Sequence, residues 1–419
     1  MRTKNPTFGN FMTALSRASF SQTWLSNFPP QDRDTASLLL DRILLVGASE
    51  FTSAIIKQLN RIERECLNEK PCLALYAERE VEKHSHVAMP FFPETDKGRA
   101  TGDGIPPVSV DPKKQDVGSE GIVAALISKY CKVPVHHAIS HPGPDALRQN
   151  QARKIVIVTD FVGSGRRVGE MLDAFALVAS IQSWRSYGLL DFHVVCYSGT
   201  EWGLRDVRRH SLRPKVWFHI ACPVINETFS GSELGAIKLL CKTYPGKRSR
   251  YPFGFNETGS LIAFSHGIPN NAPAILHSHA GGWKPLFPGR STASSEIDRI
   301  ADSSEMLAKN SERVLGVRAA RKVLSDSEGE LWTHAMLVLD AIRSGAKTPT
   351  KVSALTQIPI DRVEEVIALS QTAGWVTPKQ TLTSMGRREI RGIRRHDLLD
   401  EEFAFPESHL YFPSQLRAP

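Results

Sequence analysis

The residues best suited to chemistry lie in one run, Ile155-Val156-Ile157-Val158-Thr159-Asp160-Phe161-Val162-Gly163-Ser164-Gly165-Arg166-Arg167. Four apolar residues predict a buried strand that delivers Asp160 to its carboxyl end, and Gly-Ser-Gly then opens a helix. Glycines let the backbone curl until several N–H groups face one anion, and the helix N-terminus adds a positive end. Ser164 can donate a hydroxyl hydrogen bond, and Arg166 and Arg167 can approach a phosphate as charged donors. Asp160 is an acceptor suited to sugar hydroxyls. The pattern points to a phosphorylated sugar.

Other segments carry weaker chemistry. Gly47-Ala48-Ser49 before a predicted helix fits a plain strand-to-helix turn or a second anion loop, and Glu50 would repel a pyrophosphate there unless Mg2+ or a base intervened. Lys113 and Lys114 fit a solvated pair or a clamp on pyrophosphate. His266, with Asn270 and Asn271, fits either a turn cap or the edge of an acceptor base. His136, His137, His141, His277 and His279 lack a carboxylate or cysteine at convincing spacing, so no metal site is expected. No Gly-x4-Gly-Lys-Ser/Thr occurs, which excludes a Walker loop. Residues 160–165 also fit the first motif of adenine-type DNA methyltransferases. Those enzymes need an Asn/Asp-Pro-Pro-aromatic tetrapeptide, which neither Pro29-Pro30 nor Pro106-Pro107 provides. A third reading of the Gly-Ser-Gly run is a purely structural turn.

The elements that must position these groups alternate. Strands are predicted over 43–46, 72–78, 154–159, 192–197, 216–221 and 261–264, with helices over 51–65 and 121–130. This alternation predicts a doubly wound, mostly parallel α/β sheet, with ligands at the carboxyl ends of its strands. Residues 79–118 are too long for a mere connection and predict a mobile lid or a disordered insertion. A polar arm precedes the sheet over 1–35, the α/β domain fills 36–290, and a helical linker covers 291–328. Over 329–396, helices at 331–342, 350–357 and 361–373 and strands at 375–377 and 381–383 predict a winged-helix domain. The remaining residues, 397–419, carry Phe403, Phe405, Tyr411 and Phe412 and are expected to dock on the body.

Composition narrows the function classes. With 419 residues and 41% hydrophobic content the chain can fold fully, and no run approaches the roughly 20 apolar residues of a membrane helix. A cytoplasmic protein with no membrane partner is expected, and six scattered cysteines suit reduced, buried thiols. The net charge of +8 permits a nucleic-acid partner. In the third helix of the winged unit, Asp361, Glu364 and Glu365 would repel phosphates. Over 376–396, Lys379, Arg387, Arg388, Arg391, Arg394 and Arg395 stand against Glu389 alone, a net of +5. That stripe fits nucleic-acid backbone without sequence reading, or a solvated helix making protein contacts.

The run over 155–167 resembles the phosphoribosyl-pyrophosphate (PRPP) motif of type I phosphoribosyltransferases: four apolar residues, two acids, two apolar residues and a small-residue phosphate loop. The resemblance implies that Gly163, Ser164, Gly165 and Arg166 bind the 5′-phosphate and that Asp160 binds a ribose hydroxyl. It also implies a pyrophosphate loop at Gly47, Ala48 and Ser49, a mobile catalytic loop around 79–118, and Mg2+ with PRPP. Thr159 departs from the pattern, where the first acid is expected; it keeps a hydroxyl but loses the charge, which bears on catalysis more than on binding.

The runs Phe264-Ser265-His266-Gly267-Ile268-Pro269-Asn270-Asn271-Ala272-Pro273 and Trp283-Lys284-Pro285-Leu286-Phe287-Pro288 resemble a divergent branch of bacterial conflict systems, some encoded beside retron reverse transcriptases. This resemblance implies an antiviral effector, partnered by a reverse transcriptase and its RNA/DNA product, that carries out glycosyl transfer or N-glycosidic cleavage. The alternative is a non-catalytic PRPP or nucleotide sensor acting through the winged helix.

Overall fold

The computed structural model describes residues 15–65, 73–85, 87–106, 119–244, 250–292, 294–301 and 329–396. Residues 397–419, Lys113, Lys114, Cys66, Cys72 and residues 302–328 of the expected linker lie outside the described residues. One compact unit lies within Thr13–Asp302 and another within Ser303–Pro419.

Five strands form the main sheet of the first unit. Apart from the short β1 (Leu44–Val46), they are β2 (Leu73–Ala77), β3 (Ala138–Ser140), β4 (Lys154–Val162), β5 (Asp191–Gly199) and β6 (Lys215–Ala221). Their order is β6-β5-β4-β2-β3, and every pairing is parallel. Such strands are covered on both faces, which is why β2 and residues 155–158 read as unbroken apolar runs and are fully buried. From β2 the chain moves outward to the edge strand β3, then returns to β4 on the other side of β2 and continues through β5 to β6. The reversal sets the topological switch point between β2 and β4, where a crevice opens at the carboxyl ends.

Residues 43–46 and 261–264, expected in the sheet, pair instead with each other. Strand β1 runs parallel to β7 (Ile262–Phe264) from Leu44–Ile262 to Val46–Phe264. Three-residue apolar runs announce buried strands but carry no register that would choose the partner. Helix α1 (Ala48–Arg64) follows β1 and packs against β5 and β6, while α2 (Ser119–Cys131) packs against β2, β3 and β4.

Within the expected polar arm residues 19–25 and 30–35 are helical and docked, the second helix running on to Leu40. Trp24 and Phe28 are fully buried against Trp283, and the Trp24 indole donates to Ile275 O at 2.9 Å. The long segment after β2 is likewise not one open loop. Lys83–His84 pairs with Val87–Ala88, and Thr95–Asp96 pairs with Arg99–Ala100. Between them Phe91 and Phe92 are buried, with Phe91 stacked on Phe175 at 3.9 Å. A Phe-Phe pair within a polar stretch is the anchor that composition averaged away.

The first unit also holds α3 (Arg166–Ala176), α4 (Glu201–Arg208) and α5 (Ser294–Ile300), and the second has helices α6 (Gly329–Arg343), α7 (Pro349–Thr356), α8 (Ile360–Thr372) and α9 (Ser384–His396). Val363, Val366 and Ile367 line the buried side of α8 and pack with Met336, Leu339, Val352 and Ile390. Gly374, at φ +70°, ends α8, and its N–H donates to Gln371 O. The wing is narrow: Val376 and Leu382 form one antiparallel bridge, closed by Thr377 N–H to Thr381 O at 2.8 Å. No helix among the described residues is long and apolar enough to cross a membrane. No disulfide forms among the described cysteines, and burial pushes the Cys241 thiol up to about 12.

Candidate active site

Both strands that flank the switch point end in acids. Strand β2 is followed by Glu78, and β4 carries Thr159 and Asp160 near its end. Parallel pairing of Ala77 with Val158 puts Glu78 beside Thr159, and the Glu78 N–H donates to Val158 O at 2.8 Å. The Thr159 hydroxyl lies 3.1 Å from Glu78 Oε2 and 3.3 Å from Asp160 Oδ1, so one proton serves two carboxylates. Arg167 Nε approaches Glu78 Oε1 at 2.7 Å, and its guanidinium also donates to Glu120. The ion contact with Glu78 is not aligned as a hydrogen bond, and Glu78 Oε1 is buried with no hydrogen-bond partner among the described residues.

Electrostatics separates the two acids. Burial raises Glu78 to about 7; the charges of Asp160 and Glu120 add to this, while Arg167 and Thr159 oppose it. Burial also works to raise Asp160, but His266, Ser119 and the Phe161 N–H outweigh it and hold the carboxyl below its usual value. His266 Nε2 lies 3.1 Å from Asp160 Oδ2, with its ring stacked on Phe264 and edge-on to Phe51. One group is poised to exchange a proton near neutrality and its neighbour stays ionised.

The glycine loop is set by close packing. At Gly163 a Cβ would stand 2.1 Å from Asn271 Oδ1, and at Gly165 it would stand 2.9 Å from Gly203 O. Gly165 has φ +73° and opens α3 (Arg166–Ala176), a turn that favours glycine. Thr200 Oγ1 donates to Gly163 O at 2.6 Å and accepts from Gly203 N–H at 3.1 Å, capping α4 (Glu201–Arg208). Ser164 Oγ accepts from the Arg166 N–H at 3.3 Å, and the exposed Arg166 guanidinium lies 4.8 Å over the Phe255 ring. Arg167, read as a second phosphate donor, turns to the acids instead.

Gly47, Ala48 and Ser49 form the start of α1. The Ala48 N–H donates to Asp298 Oδ1 at 2.7 Å, so a carboxylate from α5 (Ser294–Ile300) already sits on this N-terminus. Glu50 turns away to accept from the Tyr197 hydroxyl at 2.6 Å. On the other side, Asn271 is buried and donates to Phe255 O and Thr258 Oγ1, which makes it a brace for Gly163; Asn270 is exposed.

The remaining histidines are dispersed. His136 pairs with Glu63 at 2.9 Å, and His141 Nε2 accepts the Ala77 N–H at 3.0 Å, with burial lowering it to about 4. No group of three His, Cys, Asp or Glu among the described residues could hold a metal ion. In the second unit Lys379, Arg387, Arg388 and Arg391 are exposed; the side chains of Arg394 and Arg395 lie outside the described residues.

Sequence reasoning missed Glu78, Glu120 and Asp298. Only Glu78 had a signal, an acid at the carboxyl end of a predicted strand. Its neighbour across the sheet could not be known before the strand order.

A parallel sheet with a curled glycine loop and an acid at its switch point, followed by a winged helix, defines a phosphoribosyltransferase-like protein with an associated helix-turn-helix unit. The chain belongs to the PRTase-CE family, whose model matches residues 21–288, and a wHTH-PRTase associated model matches residues 336–418. No curated protein and no solved structure matches it.

Proposed function

We propose that the first unit binds PRPP with Mg2+, or another ribosyl phosphate, and transfers or releases the ribosyl group. The observation that carries this reading is the pair of carboxylates on the Thr159 hydroxyl, beside a glycine loop at the switch point. Glu78 returns, from the neighbouring strand, the charge that Thr159 lacks. Gly163, Ser164, Gly165 and Arg166 hold the 5′-phosphate, and Asp160 and Thr159 orient the ribose hydroxyls.

Glu78 Oε1, buried beside Arg167 without an aligned hydrogen bond, suits a ligand hydroxyl. Mg2+ takes one or two carboxylates and fills its shell with phosphate and water, which Glu78 and Asp160 fit. Bound with PRPP, the ion would neutralise the pyrophosphate. As the bond to C1′ breaks and the leaving group takes the electron pair, Glu78 and Asp160 stabilise positive charge on the ribose. A base nitrogen or water then attacks C1′ and gives up its proton to the departed group or to solvent. His266, held on Asp160, and Asn270 face that acceptor side.

The test is product formation from PRPP and from nucleotides. Pyrophosphate or free base released by wild type but not by Asp160→Ala supports the reading, and equal turnover in both contradicts it.

The seat of Asp298 on the Ala48 N–H favours a second reading, a non-catalytic sensor whose ligand must displace an internal carboxylate and thereby acts on the winged helix. Ligand-dependent DNA binding without product would select it. For the whole protein we read a cytoplasmic, retron-type antiviral effector restrained by a reverse transcriptase and its RNA/DNA product, on the strength of the branch resemblance. Toxicity on expression alone, relieved by those partners and by Asp160→Ala, is the expected result; toxicity unchanged by Asp160→Ala would sink the link to this site.

A further inference from the structure

The second unit contains a cavity of about 490 Å³ between the end of α6, the wing and α9. Its floor is apolar, from Ile342, Ala346, Leu382 and Ile390. Its rim is cationic. Lys347, Arg387 and Arg391 line it, are exposed, and have no carboxylate partner among the described residues. Arg343 also lines it but is tied to Asp340 at 2.7 Å. No acid is among the lining residues.

Gln380, in the wing turn, adds a polar group to this lining: its Oε1 is buried and has no hydrogen-bond partner among the described residues. An apolar floor asks for a flat or aliphatic group, free cations ask for an anion, and an orphaned amide oxygen asks for an N–H donor. A nucleotide has all three: a base face, a phosphate and base N–H groups. The volume lies within the range of small-ligand pockets. A base reaches such a concavity only when unpaired, because in a duplex its faces are stacked. The acids of α8 discourage a duplex further, since Glu364 and Glu365 are exposed on the helix that would enter a groove.

We propose that this cavity is a nucleotide site, taking a free nucleoside phosphate or one unpaired nucleotide of a single strand. It narrows the basic-stripe reading of α9 to particular residues and is independent of the phosphoribosyl site.

The experiment uses the full chain carrying Asp160→Ala and Ser164→Ala, so that the first unit's site does not report. Fluorescence anisotropy would follow a labelled single-stranded 12-mer of mixed sequence and its duplex, with AMP as competitor. Arg387→Ala, Arg391→Ala and Gln380→Ala would be compared with Arg388→Ala, an exposed α9 cation outside the cavity. Unchanged melting midpoints and circular dichroism keep the comparison free of unfolding. The expected result is single-strand binding weakened about tenfold or more by Arg387→Ala and Arg391→Ala, the size of a charge-assisted contact, with Arg388→Ala near wild type. Competition by AMP identifies the free nucleotide as a sufficient ligand, and its failure assigns the site to a strand. Equal losses at Arg388 and Arg387, duplex binding as tight as single-strand binding, or no binding of either AMP or strand would overturn the proposal.

Discussion

Glu78 and Asp160 are two acids with opposite environments, separated by one threonine hydroxyl. Burial leaves Glu78 at about 7, so it gains its charge as the pH rises through neutrality. If the ionised form stabilises a cationic ribose, kcat/KM, which reports the ligand-free protein, rises through about pH 7 on this group. Glu78→Gln should flatten that limb and lower kcat at pH 8 by at least about tenfold, since one charged contact in a dry site is worth that much. The same shift has a stability consequence of fixed sign. The folded protein holds the Glu78 proton above the ordinary carboxyl range, so this contribution is complete below pH 4.5 and is lost as the pH rises past about 7. Melting midpoints of Glu78→Gln should therefore fall less between pH 5 and pH 8 than those of wild type.

The glycine loop owes its shape to an element that follows it by a whole strand. Thr200 follows β5, caps α4 and holds the Gly163 carbonyl with the same hydroxyl. Thr200→Val keeps the volume and removes both bonds, and should cost about 1–2 kcal/mol of stability, the scale of a lost cap. Chemical denaturation would measure it, and PRPP binding should weaken together with it. At the start of α1 the contact with Asp298 works in the other direction. Asp298→Ala should raise the affinity for pyrophosphate several-fold, read by calorimetry, because the Ala48 N–H would no longer be occupied by an internal carboxylate. Legibility differs sharply among these parts. The apolar run over 155–158 and the Gly-Ser-Gly turn gave β4 and its loop directly, because both are local. Thr200, Asn271 and Asp298 act across 37, 108 and 250 positions of chain, and no periodicity encodes which distant side chain meets a loop. The helices within the arm and the short hairpins after β2 were not legible for a related reason: Trp24, Phe28, Phe91 and Phe92 anchor stretches whose average composition is polar.

At the scale of the molecule, two compact units carry different chemistry. The first gathers acids and a glycine loop at a sheet's switch point, the arrangement we propose for a phosphorylated sugar. The second is a winged helix with acids on its third helix and exposed cations beside the wing, which we propose contact a nucleotide rather than read a groove. The winged-helix layout was legible in sequence because its helices are short, local and sharply punctuated by Pro359 and Gly374. Calorimetric titration of PRPP with Mg2+ into wild type and into an Asp160→Ala, Ser164→Ala double variant tests the central claim most directly. Saturable heat in wild type that vanishes in the variant is the predicted result. Undiminished binding by the variant, or none by wild type, would contradict a PRPP site at the end of β4.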